Sequence, residues 1–197
     1  MRARLPAALL LLIVPCAVLA QGTMPFRDRN LPANTRARDL LTRMTLQEKC
    51  GQLYMVPGDL TDPAHDVAHG SGGRQGPAAG SASADAARIN DIQRYFTGRT
   101  RLGIPIIPFE EAVHGLARPG ATVFPAAIGL AATWDTTLMA DVAAAIAVEA
   151  RSRGIRQVLS PVVNLASDVR WGRVEETYGE DPWLAAAMAR AYVTAFE

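Results

Sequence analysis

With 197 residues, 49% of them hydrophobic, the chain is long enough to bury a sizeable core and too apolar for a disordered tract. A formal net charge of +1 gives no electrostatic footing for nucleic acid or an anionic membrane surface, so neither is expected as a partner. Two cysteines and three histidines include no cluster with metal-ligand spacing, so no metal is expected.

The first twenty residues read as a separate object. Arg2 and Arg4 precede an apolar run over residues 5–19 that ends in Val18-Leu19-Ala20, the make-up of a cleaved export signal. The run is shorter than the ~20 residues needed to span a bilayer, and Pro6 and Pro15 interrupt it. Cys16 invites lipid attachment, but Pro15 directly before it fits that reading poorly. Residues 1–20 are therefore read as a signal, which sends the mature chain to the periplasm or outside the cell, unattached to the membrane. Cys50 is then alone, without an internal disulfide, and reads as a small buried hydrophobe.

Residues 21–35 form a polar, proline-bearing leader. From residue 36, Leu40, Leu41 and Met44 indicate a helix. Thr45 and Glu48 have the spacing of a capping box and open a brief second helix, followed by a first strand at 53–56. Residues 57–83 are rich in Gly, Pro, Ser and Ala, lack periodicity, and read as a long flexible loop. His65 and His69 lie there four apart, but Gly70, Gly72 and Gly73 follow and no third ligand is near. A helix is expected over 84–96, with Ile89, Ile92 and Phe96 on one face and Gly98 as its stop. Residues 104–109 read as a second, buried strand, at whose end stand Glu110, Glu111 and His114. Residues 126–132, small and apolar, read as a third. Asp135 caps a helix carrying Leu138, Val142, Ile146 and Ala150, ended by Arg151, Arg153 and Gly154. Residues 158–163 are the fourth strand, and Asp181-Pro182 opens a last helix.

Strands alternating with helices imply a parallel α/β architecture, met equally by a (β/α)8 barrel and a doubly wound sheet. No glycine-rich phosphate motif follows the first strand, so a nucleotide site has no support and no cofactor is expected. The chemistry concentrates after the fourth strand. Asp168, Arg170, Arg173, Glu175, Glu176, Glu180 and Asp181 are interleaved there with Trp171, Gly172, Tyr178 and Gly179. Forked donors, carboxylate acceptors and flat aromatic faces suit a polyhydroxylated ligand such as a sugar. The same composition also makes a loop tied by surface ion pairs. Adjacent acids such as Glu110/Glu111, Glu175/Glu176 and Glu180/Asp181 are not automatically a catalytic dyad, because neighbours on a strand point to opposite faces.

The segment DVRWGRVEETYGEDP resembles the R-D-P-R-W-G-R-x-x-E-S/T-F/Y-G-E-D-P stretch of glycoside hydrolase family 3. The similarity extends back through GIPIIPFEEAVHG, TVFPAAIGLAATWD, EARSRGI and MTLQEKCGQL, in family order. Val169 replaces the family's Pro, and Ser167 stands where Arg is frequent. The resemblance selects the barrel. A complete one takes ~250 residues, so residues 36–197 are expected to be the first half of a (β/α)8 barrel. It implies retaining, exo-acting hydrolysis of β-linked glucosides or xylosides through two carboxyls ~5–5.5 Å apart. The family's nucleophile, acid/base and sugar-contacting Lys-His pair all follow the W-G-R segment. No catalytic residue is therefore expected before residue 197, and this chain alone is expected to be inactive.

What the resemblance places here is part of a sugar subsite. Glu111 occupies the position, just before A-V/L-H-G, where many relatives carry an Asp that accepts from sugar hydroxyls. Its extra methylene is expected to crowd a hexose C6 and favour pentosides. Arg173 matches the donor Arg of W-G-R. Asp168, Arg170 and Glu176 are expected to support Arg173, Trp171 to pack beneath the loop, and His114 to be a hydrogen-bonded loop or core histidine. The expected ligands are β-linked gluco- or xylo-oligosaccharides. A non-catalytic sugar-binding protein is the alternative of a different class.

Overall fold

The computed structural model describes residues 24–61 and 67–197; the export signal expected at 1–20, with Cys16, and His65 lie outside the described residues. The chain divides into two compact units, one ending at Arg43 and one running from Met44 to Glu197. In the first, a 3-10 turn, Pro25–Arg27, precedes helix α1, Ala33–Arg43. Asp39 ties the two together. Its carboxylate accepts from Phe26 N at 3.1 Å and from the Arg43 fork at 3.0 Å.

The second unit begins with the expected capping box. Glu48 N donates to Thr45 Oγ1 at 3.2 Å and Thr45 N to Glu48 Oε2 at 2.8 Å, opening α2, Leu46–Gly51. Then follow β1, Met55–Pro57; β2, Gly73–Gln75; α3, Ala82–Arg99; β3, Ile107–Glu110; α4, Ala127–Ala131; α5, Thr136–Ser152; β4, Gln157–Val158; and α6, Pro182–Phe196. The four strands are parallel in the order β1-β2-β3-β4. A doubly wound sheet reverses its order at a switch point, whereas a barrel wall runs in sequence. The sheet also curls. Strands three places apart in a flat sheet lie ~14 Å apart, yet Gln157 Nε2 of β4 reaches Met55 Sδ of β1 at 3.9 Å. These features are those of the first half of a (β/α)8 barrel. Its core packs Ile89 of α3 with Met139, Val142 and Ile146 of α5 and Met188 and Tyr192 of α6.

Several elements differ from the sequence reading. Residues 126–132 form α4 rather than a strand. Ala and Leu are strong helix formers, and the buried Ala127, Leu130 and Ala131 fall at helical spacing. The glycine-rich loop holds β2. A Cβ at Gly72 would lie 2.3 Å from Gln52 O and one at Gly73 3.1 Å from Ile107 O, so glycine marks close backbone approach rather than flexibility. Helix α3 starts earlier, at Ala82, capped by Ser81, whose hydroxyl accepts from Ala84 N, and runs past Gly98 to Arg99. The fourth strand pairs only at Gln157–Val158, and further on Val162 bridges Thr177. Cys50 is exposed, not buried. Glu48 faces inward on α2, and a residue two places on points away, about 200° round the helix.

Buried charges sit among these elements. The Arg74 side chain is 1% exposed and donates to Gly58 O at 3.2 Å and Asp59 O at 2.8 Å. Asp85, near the start of α3, meets Arg153 Nη1 at 2.6 Å and accepts from Ala79 N at 2.6 Å. Burial pushes the Asp85 carboxyl up, but those hydrogen bonds and the charges of Arg118 and Arg153 outweigh it and hold the group below its usual range. Removing one partner of such a pair strands a buried charge. Asp85→Asn is expected to lower unfolding free energy by roughly 3–5 kcal/mol in chemical denaturation, against within ~0.5 kcal/mol for Asp141→Asn on the exposed side of α5.

Glu48 offers a pH-dependent counterpart. It is 7% exposed and accepts from Arg101 Nε at 2.9 Å and Nη2 at 2.5 Å. The Arg101 guanidinium, with Thr45 N–H, holds its carboxyl at about 2 against the opposing effect of burial. A depressed acid stabilises the fold above its unfolded value, and that contribution is lost as pH falls towards the folded value. Melting temperature should therefore drop between about pH 5 and pH 2, and Glu48→Gln should remove part of that drop.

Candidate functional site

The site begins where β3 ends. Pleating sends Glu110 inward and Glu111 outward: Glu110 is 2% exposed, and Glu111 opens to solvent. Glu110 is neutralised in place. Arg118 Nε lies 2.5 Å from its Oε2, and Gln75 Nε2 of β2 donates to its Oε1. Arg118 Nη2 donates to Gly76 O at 2.6 Å, so the pair ties the ends of two neighbouring strands. The Oε1 of Glu110 also accepts from Glu111 N at 2.9 Å.

Past Glu111 the chain folds back on itself. Ala117 N donates to Glu111 O at 2.9 Å and Phe124 N to His114 O at 2.8 Å. Gly115 makes this turn at φ +127°, and a Cβ there would sit 2.3 Å from Thr122 O. His114 is a loop residue with an exposed side chain, and its carbonyl serves the turn.

The second half of the site is the loop after β4. Ala166 N donates to Gly179 O at 3.0 Å, closing its neck, and Thr177 and Tyr178 are buried beneath it. At the tip, Asp168 takes Arg170 through Nε at 3.0 Å and Nη2 at 2.6 Å, and its carbonyl accepts from Trp171 N at 3.1 Å. Trp171 is half-buried. A 3-10 turn, Val174–Glu176, then packs against α4 and brings Glu176 back to Arg173. The Arg173 fork donates to Glu176 at 2.8 and 2.5 Å. Glu176 thus holds Arg173, whereas Asp168 and Arg170 bind each other.

Glu111 and the Arg173–Glu176 pair come together electrostatically. Partial desolvation raises the Glu111 carboxyl, the charges of Glu110 and Glu176 raise it further, and Arg173 opposes them. The arrangement offers a carboxylate acceptor and a guanidinium with exposed N–H groups on one mouth, the complement of vicinal hydroxyls. In the sequence Glu110 reads only as half of an adjacent acid pair, and Arg118 and Gln75 carry no signal of the site. Their partners lie 8 to 35 residues apart along the chain, and no short motif links them.

The chain is similar to several known proteins. A periplasmic β-glucosidase/β-xylosidase of Dickeya chrysanthemi is 33% identical over 199 residues, spanning 88% of this chain and 30% of the relative. A β-xylosidase of Formosa agariphila is 41% identical over 112 residues, covering 54% of this chain and 16% of its own length. The solved structure of a β-glucosidase from Erythrobacter marinus superposes with a TM-score of 0.74 at 36% identity, covering 89% of this chain and 24% of that one. The chain thus spans under a third of the length of these relatives. Residues 45–197 match the model of the glycosyl hydrolase family 3 N-terminal domain, and the chain belongs to that family.

Proposed function

We propose that the complete gene product containing this chain is an exported, retaining, exo-acting β-glucosidase-like hydrolase, and that this chain supplies the hydroxyl-holding half of its sugar site. The observation that carries the reading is the convergence of Glu111, at the end of β3, with Arg173 and Glu176 from the loop after β4. Active sites of (β/α)8 barrels lie at this C-terminal face. Glu111 accepts from sugar hydroxyls, and Arg173, oriented by Glu176, donates to them. The two reacting carboxyls that retention requires are assigned to the chain beyond residue 197. The similarity to a relative named as periplasmic supports export, as does the signal-like sequence of residues 1–20. A β-xylosidase is the second reading, favoured by the longer reach of Glu111 and by the similarity to the Formosa agariphila β-xylosidase.

Glu111→Gln in the complete gene product should reduce kcat/KM on an aryl β-glucoside by roughly 10- to 100-fold, the worth of a hydrogen bond to a charged group. Hydrolysis unaffected by that change would remove Glu111 from the site. Sugar binding without any hydrolysis would replace the enzyme by a binding protein. The pH dependence has a defined sign. Glu111 accepts fully when ionised, so KM rises as pH falls through its raised pKa. That limb should begin at higher pH than an ordinary glutamate would set, and Glu111→Gln should lack it.

Glu111→Asp separates the two substrate classes. Shortening the side chain by one methylene should raise the glucoside-to-xyloside ratio of kcat/KM by about tenfold. An unchanged ratio would remove the argument for the pentoside.

A further inference from the structure

Glu111 stands at an exposed strand end, yet the peptide planes on both sides of it are held by hydrogen bonds. Its own N–H donates to Glu110 Oε1 at 2.9 Å. The peptide that follows is satisfied at both atoms: Glu111 O accepts from Ala117 N at 2.9 Å, and Ala112 N donates to Ser160 Oγ at 3.2 Å. Ala112 O accepts in turn from Tyr192 Oη at 2.9 Å. The two hydroxyls thus hold the Ala112 main chain at its N–H and at its carbonyl. Ala112 is fully buried and Tyr192 is 1% exposed.

Two peptide planes flank a Cα, and fixing both fixes the direction of its Cβ. Ser160, 48 residues from Ala112, thus helps fix the second of these planes, and Tyr192, 80 residues from Ala112, holds the Ala112 carbonyl in the plane that follows. Burial raises the Tyr192 hydroxyl to about 12, so it keeps its proton and donates across the working range of any hydrolase. Nothing else in the core requires a hydroxyl here. The Tyr192 ring already packs against Phe196, stacked at a centroid distance of 5.8 Å, and phenylalanine would fill the same space.

We infer that Ser160 and Tyr192 are positioning residues that aim Glu111 through the Ala112 peptide and so set the enzyme's affinity for its sugar. This rests on the reading of Glu111 as a sugar-hydroxyl acceptor. Neither side chain touches substrate in this scheme. Their effect passes through the direction of the Glu111 carboxylate.

The test is a double-mutant cycle in the complete gene product, with an aryl β-glucoside as substrate. Ser160→Ala is expected to raise KM about five- to tenfold with kcat changed less than about twofold, because a misaimed acceptor weakens binding in ground and transition states alike. Ser160→Thr keeps the hydroxyl and should restore KM. Tyr192→Phe should act in the same direction and serves if Ser160→Ala fails to fold. In a Glu111→Gln background each penalty should shrink towards nothing, since residues acting through one another are not additive. A KM penalty of the same size in that background would overturn the inference, as would an unchanged KM in both single variants. Failure of the underlying reading shows differently, as no difference between the wild-type enzyme and Glu111→Gln.

Discussion

Four buried charges, Glu110, Arg118, Asp85 and Arg153, set the conditions for the rest of this structure. An isolated carboxylate or guanidinium in an apolar interior is prohibitively unfavourable, so each must find a partner as the chain collapses. Glu110 meets Arg118, Asp85 meets Arg153, and Asp85 also feels the charge of Arg118. Arg118 binds Gly76 O after β2, and Arg153 binds Pro119 O in the loop after β3 at 3.2 Å. Two strand ends, the start of α3 and the end of α5 are thereby brought into one arrangement. Hydrophobic contacts such as Ile89 against α5 and α6 supply non-directional attraction, whereas the paired charges tolerate far fewer alternative packings.

The mouth of the site inherits this order. β3 ends with Glu110 buried, and Glu111, the first residue past the strand, is exposed. The inner carboxylate does more than fill space. It accepts the Glu111 amide and adds its negative charge to the outer group's surroundings, raising the outer carboxyl together with desolvation and Glu176. Arg173 works against that rise while being held by Glu176. One buried acid and one exposed acid, adjacent in the chain, thus have separate tasks. The first belongs to the framework and the second is open to solvent.

The same division explains why the glycine-rich segment is a strand. A sheet that curls enough for β4 to touch β1 brings backbones and side chains close on its concave side. A Cβ at Gly72 would collide with Gln52 O, and one at Gly73 would press on Ile107 O of β3. Arg74, the next residue of β2, is buried against main-chain carbonyls.

Local signals in the sequence were read correctly wherever a few neighbouring residues carried the physics. Thr45 and Glu48, Asp135 with Gly154, and Asp181 with Pro182 mark helix ends through hydrogen bonds and φ preferences that operate within one turn. The W-G-R segment and the Glu-Ala-Val-His-Gly stretch likewise carried the family. What the sequence could not determine by itself is everything settled across tens of residues. Residues 126–132 are apolar and short, so periodicity could not separate helix from strand, and packing against the loop after β4 and α6 chose the helix. Glycines at 72 and 73 look like flexibility until neighbouring strands crowd them. The pairing of Glu110 with Arg118, and the hold of Ser160 and Tyr192 on Ala112, exist only once the strands are in register. Hydrogen bonds and ion pairs act over a few ångströms, and only the tertiary fold brings such distant residues within that range.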